Sequence, residues 1–110
     1  MTSVVVEAST EGITAFNVPA NKIGKIKFLE VDNQSASAIT ITIQDVFTPT
    51  PSMSNPNPSE VTKMRKVVTV GAGNSYSEKL DGTIEIFGEC RVVGNASDAN
   101  CKITIGYDFE

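Results

Sequence analysis

Apolar and polar positions alternate in short runs along most of the chain, and Gly, Pro, Asn and Ser punctuate the runs. The clearest case is Ala38–Val46, where Ile39, Ile41 and Ile43 face one way and Thr40, Thr42 and Gln44 the other. A period of two with one apolar side marks a strand half buried on a core. The same logic predicts strands at Ser3–Ala8, Ile13–Val18 and Lys25–Asp32. Further strands are predicted at Thr62–Val70, Ser75–Leu80, Thr83–Val93 and Cys101–Phe109. Turns fall at Pro19-Ala20-Asn21, Asn33–Ser37, Gly71-Ala72-Gly73 and Asp81-Gly82, with Gly94–Asn100 expected as the loop of a final hairpin. In that hairpin Ile84, Ile86, Cys90 and Val92 are expected to share one face, and Cys101, Ile103, Ile105, Tyr107 and Phe109 another. Two breaks in the alternation, at Phe28-Leu29 and Val67-Val68, call for a bulge or a strand buried on both faces.

About eight short strands with regularly spaced turns and no helical periodicity predict an all-β fold: an antiparallel β-sandwich, jelly-roll-like, as one domain over residues 1–110. Within it, residues 1–12 form an N-terminal arm or first strand, and residues 47–60 a proline-rich loop. Composition agrees. Val, Ile and Thr make up 33 of the 110 residues and Leu only 2, which disfavours a helical bundle.

Charge and chemistry narrow the function further. The net charge of −4 argues against bulk electrostatic binding to nucleic acid or an anionic membrane. No basic start with a long apolar stretch resembles a secretory signal, so the expectation is a chain kept in the cytoplasm or already processed. Histidine is absent, which removes every imidazole-dependent triad and metal site. Read as one strand, Glu85 and Glu89 would stand roughly 13 Å apart, too far for a glycosidase pair. Gly71-Ala72-Gly73 lacks the third glycine and the helix of a phosphate loop. Asp98 and Asn100 supply two oxygens where calcium wants six to eight. The chain is therefore expected to be no enzyme and to need no cofactor. Lys22, Lys25 and Lys27, and likewise Lys63, Arg65 and Lys66, read as solvated faces or as a complement to an acidic partner subunit.

Two features suggest assembly, and two more bear on redox state and modification. Val4, Val5 and Val6 are apolar on both faces of any strand, so the arm either pairs with a neighbouring subunit or closes its own sandwich. The loop carries Pro49, Pro51, Pro56 and Pro58 with Met53 and no charge; it is either a loose hairpin tip or a surface ordered against a neighbour. Cys90 and Cys101 flank the expected hairpin loop. A directly opposite register would allow a disulfide, and the absence of an export signal favours buried free thiols. Asn33-Gln34-Ser35 and Asn95-Ala96-Ser97 match the glycosylation triplet but sit in Asn- and Ser-rich turns where it arises by chance.

The stretch Phe16-Asn17-Val18-Pro19-Ala20-Asn21-Lys22-Ile23-Gly24-Lys25-Ile26 resembles a turn-and-strand pattern of small virion proteins of tailed phages, in which a glycine usually stands where this chain has Asn21. Val31-Asp32-Asn33-Gln34-Ser35-Ala36-Ser37-Ala38-Ile39-Thr40-Ile41-Thr42, and Gly82-Thr83-Ile84-Glu85-Ile86 through Cys90-Arg91-Val92, resemble later parts of the same pattern, and the resemblance covers about half the chain. Such proteins offer no catalytic residues to carry over. The resemblance implies a capsid decoration protein or another head- or tail-associated subunit, homo-oligomeric and bound to a major capsid or tail protein. Its place would be the virion, assembled in the host cytoplasm. The competing expectation is a carbohydrate- or receptor-binding β-sandwich, for which Tyr76 and Tyr107 are the only tyrosines and Trp is missing.

Overall fold

The computed structural model describes residues 1–110 and has eight strands and no helix. These are β1 (Thr2–Ala8), β2 (Ile13–Asn17), β3 (Gly24–Asn33), β4 (Ile39–Phe47), β5 (Val61–Val70), β6 (Ser75–Ile86), β7 (Glu89–Gly94) and β8 (Asp98–Phe109). They form two four-stranded antiparallel sheets, ordered β1-β8-β3-β6 and β2-β7-β4-β5. Strands pair as 1 with 8, 2 with 7, 3 with 6 and 4 with 5, the nested pairing of a jelly roll. The sandwich measures 50 × 26 × 17 Å.

The core is built from the alternation that defines the strands. Ile39, Ile41 and Ile43 of β4 are each only 1% exposed and meet Leu29, Val31, Ile103 and Ile105 of the opposite sheet in one cluster. The break at Phe28-Leu29 is a bulge: Ile26 pairs with Tyr107 and Phe28 with Gly106, leaving Lys27 as the extra residue of β3. That shift lets Ile26 and Leu29 both face inward and turns the Phe28 ring onto the outer face. A side chain at Gly106 would overlap that ring. The second expected break is displaced. The β5 irregularity lies at Arg65, between the pairs Ile43–Lys66 and Gln44–Met64, and beyond it Val67 faces out while Val68 and Val70 face in.

Two expected boundaries are corrected. Asp81-Gly82 does not separate strands. It is an excursion inside β6, with Asp81 at φ 52 and Gly82 at φ 83, and pairing to β3 resumes at Ile84. The expected strand Thr83–Val93 breaks at Phe87-Gly88, where the chain crosses from one sheet to the other. Only two residues, Phe87 and Gly88, separate the strands there, too faint a signal against a continuous β-branched run. Consequently β7 and β8 lie in opposite sheets, and residues 95–97 cross the sandwich instead of closing a hairpin. The one hairpin between consecutive strands is β4–β5.

Candidate assembly surface

The two ends of the sandwich are built differently. At one end lie the loops 9–12, 34–38, 71–74 and 95–97; Asn33, which is fully buried, ties 34–38 to 71–74, and Thr10 bonds to Ser97. Its side-chain amide donates to the carbonyls of Val70 (2.9 Å), Ser37 (3.0 Å) and Gly71 (3.3 Å), and its Oδ1 accepts from the Ser35 amide (3.1 Å). An amide so engaged is not a glycosylation acceptor in the folded chain. Asn95, of the second triplet, accepts at Oδ1 from the Thr40 amide.

The opposite end gathers five of the seven aromatic side chains, both termini and the proline-rich loop. Phe16 stacks on Tyr107 with centroids 4.0 Å apart, and Phe109 packs against both. Phe47 meets Phe87 edge-on at 5.5 Å, and the Arg65 guanidinium lies 5.3 Å above the Phe87 ring. Phe87, Phe109 and Met64 are exposed here. So is Met53 at the tip of the loop, beside a turn closed by reciprocal backbone bonds between Ser52 and Asn55. Pro51 and Pro56 are exposed, whereas Pro49 and Pro58 are partly covered at the base of the loop. No residue of 47–59 carries a charge.

Beneath this end sits the one fully buried charge, Asp45. Its carboxylate accepts from Arg65 Nη2 (2.8 Å) and from the backbone amides of Phe87 (3.0 Å) and Gly88 (3.1 Å). It thereby satisfies two N–H groups of the sheet-to-sheet crossing, which lie outside the strand ladders. Gly88 is required at that crossing, because a Cβ there would lie 2.7 Å from Phe47 Cβ and against the Val46 carbonyl. Arg65 Nε is buried without a partner. The sequence contained the signal for this arrangement: Asp45 continues the inward series Ile39, Ile41, Ile43 at a period of two.

The other expected sites fall as follows. The N-terminal arm is seated in its own molecule. β1 pairs with β8 from Thr2–Tyr107 to Val6–Ile103, so Val6 is buried, Val4 half-buried and Val5 exposed. The triple valine is thus an ordinary edge strand with one residue on the outer face, and it closes its own sandwich. Cys90 and Cys101 are both buried and free. Cys90 pairs across β7 with Phe16 and Asp45, while Cys101 pairs with Asn33 at the far end, so the cross-strand geometry for a disulfide does not arise. Burial, reinforced by the Asp45 and Glu89 charges, pushes the Cys90 thiol up to about 12; burial also raises that of Cys101.

Glu85 and Glu89 stand on different sheets. Glu85 pairs with Lys25 (3.1 Å), and Glu89 binds Arg91 and accepts from the Thr14 hydroxyl (2.6 Å), partners that hold its carboxyl below the usual range. The basic clusters are largely neutralised within the chain: Lys25 by Glu85, Lys27 by Glu110, Arg65 by Asp45 and Lys66 by Glu78. Asp98 Oδ1 accepts from the Asn100 amide, the local bond of a turn. No three acidic or thiol side chains are grouped to hold a metal ion. An open groove of about 480 Å³ on the outer face of the β1-β8-β3-β6 sheet has Phe28 as its floor, and its charges are paired, Met1 with Asp108 and Lys79 with Asp81. Comparison with family models, curated proteins and solved structures returns no significant match.

Proposed function

We propose that this chain is a non-enzymatic virion structural protein, a capsid decoration protein or another head- or tail-associated subunit that works by protein–protein assembly. The observation that carries the reading is where the phage-like residues lie. Val18 to Asn21 lead into and form the β2–β3 turn, and Asn21 adopts φ 63, the left-handed conformation that the glycine of the pattern would supply. Asn, like Gly, adopts this conformation readily, so the departure at Asn21 does not count against the resemblance. Asn33, Ser35 and Ser37, the polar positions of the second stretch, make the knot that ties the other end. The resemblance thus rests on residues that determine the scaffold. An aromatic end with a charge-free, proline-stiffened loop supplies a surface suited to a protein partner.

Mass spectrometry of purified particles from the source tests the reading. The chain is expected at a fixed ratio to the major particle protein. Purified particles that lack the chain overturn the proposal. A glycan array giving a specific hit would favour the carbohydrate-binding reading instead.

A further inference from the structure

Of the four edge strands, three carry features that discourage pairing with another chain. β2 has five residues and an irregularity between Thr14 and Phe16. β5 presents Lys63, Arg65 and Lys66 and is bulged at Arg65. β6 is interrupted by Asp81-Gly82. β1 has none of these over Thr2–Glu7: no Lys, no Arg, no Pro and a regular register, with its shift only at Ala8. Its single charge, Glu7, is held by Lys102 of β8 at 3.0 Å.

The two sides of the sandwich differ in the same sense. Between β5 and β6, Lys66 bridges to Glu78 at 2.9 Å, and the Tyr76 hydroxyl donates to that carboxylate at 2.8 Å, a polar closure over the core. Between β1 and β2 no side-chain hydrogen bond or ion pair spans the gap, and Val4 of β1 with Ile13 and Ala15 of β2 pack against the core while only half-buried. An open strand edge therefore runs beside an incompletely covered apolar seam.

We propose that this edge is the contact between two copies of the chain, joined by antiparallel pairing of β1 with β1 of the second copy about a two-fold axis at Val5. Antiparallel pairing of identical strands requires an axis normal to the sheet, which keeps outer residues opposite outer ones. Centring on Val5 is the register that pairs all seven residues. Val5 then packs against Val5 of the second copy, Val4 lies opposite Val6, and Glu7 opposite Ser3, so no like charges face each other. The joined sheets run unbroken through eight strands, and the second copy covers the seam at Val4, Ile13 and Ala15. The contact is narrow, so the dimer dissociates on dilution. The inference rests on the assembly part of the reading above. Particle composition tests the virion part, so the two failures are distinguishable.

Sedimentation velocity on the full chain is expected to give twice the 11.7 kDa chain mass at high concentration and the single mass on dilution. Val5 is 59% exposed on the outer face, so Val5→Lys and Val5→Glu keep the native circular dichroism. Each alone is expected to be monomeric at concentrations where the parent is dimeric, and an equimolar mixture to recover the double mass. Val5→Cys gives an independent readout needing little change in side-chain volume. Directly opposed residues in an antiparallel pair stand about 4.5–5.5 Å apart at Cα, within disulfide range. Diamide, taking up two electrons and two protons from the two thiols, is expected to cross-link this variant to a covalent dimer while the parent, with buried cysteines, stays uncrosslinked. A monomeric parent at every concentration overturns the proposal. So does an oligomer unaffected by Val5→Lys, or a Val5→Cys variant that does not cross-link.

Discussion

Removing the Asp45 carboxylate is the sharpest single perturbation of this fold. Asp45→Ala deletes three hydrogen bonds, those from Arg65 Nη2, Phe87 N and Gly88 N. Bonds to a charged acceptor contribute about 1.5–3 kcal/mol each, but they do not add, and Arg65, whose side chain is 24% exposed, regains part of its hydration. The two crossing amides lose their only acceptor in the chain, and breaking a buried pair costs about 3–5 kcal/mol. That is the loss we expect for Asp45→Ala, a large share of the roughly 5–15 kcal/mol that stabilises a domain. Asp45→Asn keeps one acceptor for the crossing and loses the attraction to Arg65, so its loss falls between. Urea unfolding followed by far-ultraviolet circular dichroism measures both, since the chain has no Trp. A loss under about 1 kcal/mol for Asp45→Ala with an unchanged denaturant slope would refute the assignment of this carboxylate as the clamp on the crossing.

Asn33→Ala is expected to cost about 2–4 kcal/mol by leaving buried carbonyls without their donor, with hydrogen exchange accelerating at 34–38 and 71–74. Cys90 should resist an aromatic disulfide reagent at pH 8 in the native protein and react at once in urea, and rapid native reaction would contradict its burial. Because the folded thiol lies near 12, the unfolded chain sheds that proton first as pH rises from the ordinary thiol range, so stability falls with alkalinity there. Glu89 is depressed by Arg91 and Thr14, so its contribution is present at neutral pH and is lost as pH falls through its folded value. A carbon-detected titration should place its midpoint below the roughly 4.3 of a free peptide, and a normal midpoint would contradict the pairing.

The strands were legible because alternation is a local property. Ile39, Ile41 and Ile43 announce both their strand and the side that meets the core. What alternation does not encode is which sheet a strand joins. Cys90 and Cys101 read as opposing positions of a hairpin because only seven loop-like residues separate the runs, yet the chain uses that stretch to cross the sandwich. Phe87-Gly88 is the harder case. A two-residue crossing leaves no loop composition to detect, and its markers are remote: the buried Asp45 that satisfies it and the close approach of Phe47 that demands glycine. The valine arm was ambiguous for a different reason. An edge strand buries only one face fully, and Val5 on the other face gives the same sequence pattern as a strand covered on both. The Asp81-Gly82 excursion carries true turn residues, whose left-handed conformations are used within a strand instead of between two.

The measurement that bears most directly on the assembly account is electron cryomicroscopy of purified particles at a resolution that separates strands. The account predicts eight-stranded density of about 50 × 26 × 17 Å repeated at equivalent positions on the head or tail, with the aromatic end or the β1 edge against a neighbour. Particles whose density is fully explained by other chains would contradict it.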